Sequence, residues 1–224
     1  MEALQLANTV YSLAKLGHRD NDFMAALLRE AMPRVRDFEP QALANTVWAL
    51  GTLGHTDDDF MAALLKEAEP RLCNFTPQDQ SNTALALAKL QHYDAAFMVA
   101  LLKEAMPQLR DFKPQELSDT LWALATLGHT DGPFVAALLK EAMPRLRDFK
   151  PQELSNTLWA LATLGHTDRA FVAALLKEAT LIEISGRWGG AREGQRHGVL
   201  CPLPSGTYKK VHTCYNQGGS ARSH

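Results

Sequence analysis

Hydrophobic and polar residues follow one another along this chain in a pattern that returns every 37 residues. The segment 149–179, FKPQELSNTLWALATLGHTDRAFVAALLKEA, shows the pattern in full, and copies begin at Phe112, Phe75 and Phe38. Another copy starts at Met1 without the opening Phe-x-Pro. One histidine per copy keeps the register, at His18, His55, His92, His129 and His166. A repeat of this length is typical of a solenoid, whose units bury their apolar faces on one another.

Each unit is predicted to hold two helices. The first, helix A, begins at the proline of Phe-x-Pro, where the missing N–H costs nothing, and ends at a glycine able to take a left-handed conformation. Its apolar residues fall on one face at 100° per residue, as Leu154, Leu158, Leu161 and Ala162 do in the fifth unit. The second, helix B, follows an aspartate suited to the N-cap, carries a Phe-x-x-x-Leu-Leu stripe and ends before a proline.

The pattern therefore predicts an all-α fold, a right-handed α-solenoid of about five helical-hairpin repeats over residues 1–179. The third unit has Gln80 and Gln91 where other units have leucine and glycine. We therefore expect this unit to be the least stable part of the array, a weak joint between its neighbours. Residues 180–224 lose the register and hold 8 of the 14 glycines, and this tail is predicted to be disordered. The predicted units are 1–37, 38–74, 75–111, 112–148 and 149–179.

Composition and charge limit the function further. The chain is 46% hydrophobic, enough to bury a core, and it has no run of about 18 apolar residues that would cross a membrane. Residues 1–179 hold 17 Lys and Arg against 23 Asp and Glu, a net charge of −6, whereas residues 180–224 carry +4. Non-specific binding to phosphates is therefore not the main function of the repeat region, and only local basic ridges would bind phosphate groups. The three scattered cysteines suit a reducing compartment.

The start of the chain falls inside a unit, and nothing there has the pattern of a signal or transit peptide. We therefore expect an internal start or a fragment.

The outward face of helix A carries polar and aromatic residues at equivalent positions in successive units. Amides bond the edges of bases and planar rings stack on them, so this face has what the binding of single-stranded RNA requires. Two interpretations stay open: the rings and amides contact RNA, or the rings pack between units while each asparagine bonds a nearby carbonyl. The candidate RNA-binding residues are Asn8, Asn45, Asn82, Asp119 and Asn156, then Tyr11, Trp48, Trp122 and Trp159, and then Lys15, Thr52, Lys89, Thr126 and Thr163.

Arginines form two further rows between helix B and the next helix A. The first row, Arg34, Arg71 and Arg145, joins the candidate RNA-binding residues because guanidinium groups there would clamp phosphates. The second row is Arg36, Arg110 and Arg147. The alternative is that the arginines serve solubility and pair with the nearby Asp37, Asp111 and Asp148.

Catalysis finds no support in the sequence, because there is no Gly-rich phosphate loop and no nucleophile motif. The repeated histidine is expected to bond the last carbonyls of helix A. In the tail, the spacing of His197, Cys201, His212 and Cys214 matches no familiar zinc finger. We expect no enzyme activity, no metal and no cofactor.

The segment 151–166, PQELSNTLWALATLGH, resembles the helical-repeat proteins of green-algal organelles, namely the octotricopeptide-repeat and RAP-domain factors of chloroplast translation and RNA maturation. These are similar to the leucine-rich region of the Fas-activated serine/threonine kinase family and to RNA-editing substrate-binding complex proteins. The likeness covers residues 1–179. The repeat here is one residue shorter than the usual octotricopeptide repeat, and a C-terminal RAP domain is not found.

The resemblance implies an α-solenoid in the chloroplast stroma or mitochondrial matrix that binds single-stranded organellar mRNA or rRNA and influences its stability, processing or translation. Protein partners in a ribonucleoprotein complex are implied, and no membrane. The alternative is an armadillo-like protein–protein interaction scaffold that holds an extended peptide in the same groove. A third possibility is a fragment without an independent function.

Overall fold

The computed structural model describes residues 2–184, 199–202 and 208–211, and its side chains are described up to residue 181. In this part of the chain each repeat has a 14-residue helix A and a helix B, and in the first four repeats a six-residue 3-10 helix follows. The A helices are α1 Ala3–Leu16, α3 Pro40–Leu53, α5 Pro77–Leu90, α7 Pro114–Leu127 and α9 Pro151–Leu164. The B helices are α2 Asn21–Ala31, α4 Asp58–Ala68, α6 Ala95–Ala105, α8 Gly132–Ala142 and α10 Arg169–Ile184. The 3-10 helices are η1 Met32–Asp37, η2 Glu69–Asn74, η3 Met106–Asp111 and η4 Met143–Asp148.

The elements stack in sequence order, which confirms the predicted α-solenoid. Each A helix packs directly on the A helix of the next unit, so α1, α3, α5, α7 and α9 form one layer. Each B helix after the first packs against the 3-10 helix of the preceding unit. The right-handed sense of the array stays a prediction.

The ends of the helices lie where the sequence predicts them. The Asp57 carboxylate accepts a hydrogen bond from the Phe60 N–H at 2.9 Å, and the equivalent aspartates cap the other B helices. Helix A ends at a glycine with φ of +64° to +66° in four units. In the third unit Gln91 takes this conformation with φ +54°, and its side-chain amide bonds the Ala88 carbonyl.

Small residues allow the A helices to approach closely. A Cβ added to Gly51 in α3 would lie 2.6 Å from the Cα of Ala86 in α5. The Ser81 hydroxyl donates to the Glu116 carbonyl on the next A helix at 3.1 Å, and Ser118 donates in the same way to the Glu153 carbonyl at 2.9 Å. The A layer is therefore tied together by close backbone contacts and by hydrogen bonds between adjacent units.

The third unit departs from its neighbours at Gln80, which is only 1% exposed. Its Nε2 lies 3.5 Å from the Phe75 carbonyl, and its buried Oε1 has no partner among the described residues. Thr76 and Asp79 form a capping box at the start of helix α5. A buried oxygen without a partner costs free energy, which supports the expectation of a weak joint here.

The repeated histidine behaves differently from the prediction. Its backbone N–H does bond a helix A carbonyl, as that of His129 bonds Leu124. The imidazole, however, reaches the preceding unit, because Nδ1 of His129 lies 2.9 Å from the Tyr93 hydroxyl. In the third unit, Nδ1 of His92 lies 3.8 Å from Asp58 of the second unit. In the third and fourth units the histidine side chain thus links adjacent units.

The tail also differs in part from the expectation of disorder. Helix α10 continues to Ile184, past the predicted end of the array at residue 179. Two strands, β1 Val199–Pro202 and β2 Tyr208–Val211, form an antiparallel pair in which Val199 lies opposite Val211. The rest of the tail and the side chains of His197, Cys201, His212 and Cys214 lie outside the described residues. No helix in the described part is long and apolar enough to cross a membrane.

Candidate functional site

A row of four amide side chains and one carboxylate crosses the surface of the A layer, with one member on each A helix. We call it the amide row. Because the A helices pack side by side, residues at the same repeat position lie on adjacent helices and form one strip. The first member is exposed and the other four are partly exposed, so none is sealed inside the array. The members are Asn8, Asn45, Asn82, Asp119 and Asn156.

Two members of the row, Asp119 and Asn156, accept hydrogen bonds from a residue one turn away on their own helix. The Gln152 Nε2 donates to Asn156 Oδ1 at 2.8 Å, and the Gln115 Nε2 donates to Asp119 Oδ2 at 3.4 Å. In the described part of the chain, no side chain of the row bonds a backbone carbonyl of a neighbouring unit. The described hydrogen bonds of these side chains therefore do not join one unit to the next, and their remaining donors and acceptors can bond a ligand.

The aromatic side chains lie next to the amide row and pack in pairs. The ring centroids of Tyr11 and Trp48 are 5.3 Å apart, and those of Trp122 and Trp159 are 6.1 Å apart. The interpretation that the rings pack between units describes both pairs. Trp122 is buried, whereas the other three rings are partly exposed. Only the exposed parts of these rings are available to stack a base.

The third row of candidates, one turn further along helix A, is the most exposed on average. Lys15, Lys89 and Thr163 are exposed, and Thr52 and Thr126 are partly exposed. The Lys15 Nζ lies 4.9 Å from the Trp48 centroid, a cation–π contact with the packed pair.

The fourth unit holds polar groups without partners. Trp122 Nε1 and Thr126 Oγ1 are buried and have no hydrogen bond in the described part of the chain. Asp119 lies on the same helix face, and burial raises the pKa of its carboxyl group to about 6. The Gln115 hydrogen bond and the charge of Lys89 oppose this rise, whereas the charges of Glu153 and Glu116 add to it. The fourth unit therefore holds buried hydrogen-bonding groups that have no partner in the described part of the chain.

The exposed charge on the A layer is positive, although the array is acidic as a whole. Among the charged residues of the five A helices, only Lys15 and Lys89 are exposed. Glu116 and Glu153 are buried and accept hydrogen bonds from the backbone N–H groups of Lys113 and Lys150, at 2.7 and 2.8 Å. An anionic ligand would therefore meet two exposed lysines along these helices, whereas the carboxylates of Asp79 and Asp119 are only partly exposed.

The first row of arginines has a structural role instead of a free one. The Arg71 guanidinium donates to the carbonyl of Phe38, at the start of its own unit, at 2.6 Å and to the carbonyl of Arg36, near the end of the preceding unit, at 2.9 Å. Arg145 reaches the Arg110 carbonyl at 3.5 Å, and Arg34 bonds Glu30. These contacts occupy the donors that a phosphate would need, so the placement disfavours a phosphate clamp at this row.

A second set of basic side chains is better placed for phosphates. Arg36, Arg110 and Arg147 are largely exposed, and each lies 3.7–3.9 Å from the aspartate that follows it. Sequence reasoning missed Lys113 and Lys150, which stand just before helix A in the last two units and are about as exposed. Their signal was the shared position before Pro114 and Pro151, where the second and third units have Glu39 and Thr76. We call Arg110, Lys113, Arg147 and Lys150 the basic edge.

Comparison with known proteins bears on this surface. Residues 1–165 of the chain match the family described as Tbc2 translation factor, N-terminal domain. A comparison with curated proteins finds no significant match. The match confirms the expected likeness to helical-repeat translation factors. Membership of the more specific families named above stays a prediction. Because the match covers 165 of the 224 residues, the chain belongs to the Tbc2 translation factor N-terminal domain family.

Proposed function

We propose that the A layer binds single-stranded RNA and that the protein acts in translation or RNA processing inside an organelle. The family assignment supports a role in translation, and the organelle follows from the resemblance in sequence. The protein acts by binding, without catalysis or a cofactor, and its partners are an organellar mRNA or rRNA and proteins of the same ribonucleoprotein complex.

The amide row is the observation that carries this proposal. One amide or carboxylate is presented per unit, at a constant interval along a surface with two exposed lysines. An amide offers a donor and an acceptor to the edge of a base, and one position per repeat suits a strand whose bases are splayed out singly. The exposed parts of Trp48 and Trp159 lie beside the row and would support stacking.

The basic edge supplies the contacts to the sugar–phosphate backbone. Its four cations lie at the start of α7 and α9, where helix N-termini add their positive ends. At the junction between the second and third units, the residues Cys73, Asn74 and Thr76 occupy this region, and none of them is a cation. The fourth and fifth units therefore bind the backbone more strongly than the third.

An extended peptide is the competing ligand, since amides also bond a peptide backbone and an armadillo-like scaffold would use the same groove. The two lysines and the basic edge favour RNA, because a neutral peptide gains nothing from them. The two readings differ in how binding responds to salt.

The test measures binding of the full chain to a fluorescent random-sequence single-stranded RNA across a salt series. Replacing both Asn45 and Asn156 with alanine should weaken binding at least about tenfold, because each lost hydrogen bond is worth about 1 kcal/mol. Replacing Lys150 with alanine should reduce the salt slope by about one. Lys66→Ala on helix α4 is the matched control and should change neither quantity by much.

The same variants are tested for capture of extended peptides. RNA affinity that is unchanged in the double variant, together with lost peptide capture, would reject the RNA proposal in favour of a scaffold.

A further inference from the structure

The fourth unit differs from the others within the amide row, because it carries the carboxylate of Asp119 in place of an asparagine amide. Asp119 lies on helix α7, which packs between α5 and α9, and its side chain is partly exposed. Its Oδ2 accepts a hydrogen bond from the Gln115 Nε2 at 3.4 Å, and its Oδ1 has no hydrogen bond in the described part of the chain. A carboxylate has about four acceptor positions, so most of those of Asp119 remain for a ligand.

Recognition of a base at this unit depends on hydrogen bonds, because the neighbouring aromatic ring is covered. Trp122 is 8% exposed and packs against Trp159, with ring centroids 6.1 Å apart. Little of its face is left to stack a base. The fourth unit therefore presents a group that only accepts hydrogen bonds, whereas Asn82 of the third unit presents both an acceptor and a donor.

The four bases of RNA differ in how their Watson–Crick edges meet a carboxylate. Guanine has two adjacent donors, N1–H and the N2 amino group, which match the two oxygens of one carboxylate. Adenine and cytosine each have one amino donor beside a ring nitrogen that accepts, and uracil has one N3–H between two carbonyl oxygens. With these three bases a carboxylate oxygen faces another acceptor and is repelled. An amide avoids this conflict, because it also carries a donor.

We propose that Asp119 selects guanine at the position of a bound RNA that lies on the fourth unit. This inference rests on the proposed binding of RNA to the A layer and adds the identity of one base. The N1–H and N2–H groups of guanine donate to the two oxygens of Asp119. The Gln115 hydrogen bond, at 3.4 Å, is long, so its loss to the base costs little.

The charged groups around Asp119 suit this role. Lys89 on α5 is exposed, and its charge acts on the Asp119 carboxyl group and lowers its pKa. The flexible Lys89 side chain is a donor for the O6 acceptor of guanine. Glu116 on α7 and Glu153 on α9 raise the pKa of Asp119, but both are buried and accept hydrogen bonds from backbone N–H groups.

Burial has the largest effect on Asp119 and raises its pKa to about 6. At pH 7 the group is therefore mostly ionised, although it has lost part of its solvation. A base that brings two donors replaces the lost solvation, whereas a base that brings an acceptor adds to the loss.

The experiment selects, from a random-sequence pool of single-stranded RNA, the molecules that the full chain retains, and determines their sequences. We expect one guanine at a fixed place in the enriched motif, preferred by about 5- to 150-fold over the other bases. Asp119→Asn should still bind the pool but lose this preference. Asn82→Asp is the reciprocal variant and should add a second guanine adjacent to the first, because each unit faces one base.

Asp59→Asn is the matched control, since it removes the same charge from an exposed position on helix α4 and should leave the motif unchanged. If circular dichroism shows that Asn82→Asp is unfolded, Asn156→Asp replaces it and should add the guanine on the opposite side. Inosine lacks the N2 amino group of guanine. Placed in the selected motif, it should weaken binding by the unaltered chain and leave binding by Asp119→Asn unchanged.

The preference for guanine should also fall as the pH is lowered through about 6, because protonation turns one acceptor oxygen of Asp119 into a donor. In Asp119→Asn it should not depend on pH. A motif without a guanine preference, or a preference that survives in Asp119→Asn, overturns the assignment and leaves RNA binding intact. A chain that retains no RNA from the pool overturns the proposed function, and the assignment fails with it.

Discussion

A carboxyl group stands at Asp119 where the other four units hold an asparagine amide. The two groups have nearly the same shape, but the carboxylate carries a charge and loses solvation when it is buried. This loss raises its pKa from 3.8 to about 6, so that at pH 7 a partly buried charge is maintained at a cost in stability.

Asp119→Asn should therefore stabilise the protein above pH 7, by about 1–3 kcal/mol. A carboxyl group with a folded pKa above its unfolded pKa destabilises the fold at high pH, and this penalty is relieved as the pH falls through about 6 towards 3.8. The advantage of the variant should consequently shrink between pH 7 and pH 5. Urea unfolding at pH 8 and at pH 5 measures it, with the exposed Asp111→Asn as control. A variant less stable than the unaltered chain at pH 8 would contradict the prediction.

The buried amide of Gln80 provides a second prediction at the scale of single residues. Leucine stands at the equivalent positions 43, 117 and 154 and is buried in each. Gln80→Leu should raise the free energy of unfolding by about 1–3 kcal/mol, because it removes an oxygen that has no partner without leaving a cavity. Thermal unfolding measures the change. Gln78→Leu, at an exposed position of the same helix, should have little effect, and a lower melting temperature for Gln80→Leu would refute this explanation of the weak joint.

At the scale of helices, the spacing of the A layer depends on small side chains where α3 meets α5. Gly51→Ala should destabilise the protein by about 1–3 kcal/mol, since the new Cβ would lie 2.6 Å from the Cα of Ala86, which is backbone and cannot turn aside. This outweighs the helix propensity gained, about 1 kcal/mol.

Gly132→Ala in helix α8 is the matched control for this prediction. Nothing lies within 4 Å of a Cβ at Gly132, so the substitution there should be neutral or stabilising. Denaturant unfolding of both variants gives the comparison. Equal stabilities for the two would mean that α3 and α5 can move apart at little cost.

The helices themselves could be predicted closely, because their boundaries are set by local chemistry. A proline at the first position, an aspartate N-cap and a glycine with positive φ each act within one turn of the chain, and all were found where the sequence places them. The partners of long side chains could not be predicted in the same way. Arg71 reaches the Arg36 carbonyl of the preceding unit, and His129 reaches Tyr93, at distances that only the stacking of the units fixes.

The candidate site, like the helices, has some features that the sequence predicts and others that it does not. The amide row could be predicted from the 37-residue register alone, since equal positions on stacked helices must align. The burial of Trp122 and the isolation of Glu116 and Glu153 from solvent could not, because they depend on neighbouring helices. The basic edge was missed for a related reason: exposure, and not residue type, distinguishes Lys113 and Lys150 from Arg71.

At the scale of the whole molecule, the array and the tail carry charges of opposite sign. The repeat region is at −6 and the tail is at +4. The net negative charge of the repeat region repels a polyanion such as RNA. The exposed cations near the A layer allow the polyanion to approach at that surface. The tail is a second basic region that could hold RNA without any contribution from the amide row.

Ultraviolet cross-linking of the full chain to single-stranded RNA, followed by mass spectrometry of the cross-linked peptides, tests the central claim most directly. If the amide row binds RNA, cross-links should fall on α3, α5, α7 and α9 and recur at intervals of 37 residues, next to Asn45, Asn82, Asp119 and Asn156. Cross-links confined to the B helices, or to the basic tail beyond residue 184, would show that RNA binds elsewhere and would contradict the account.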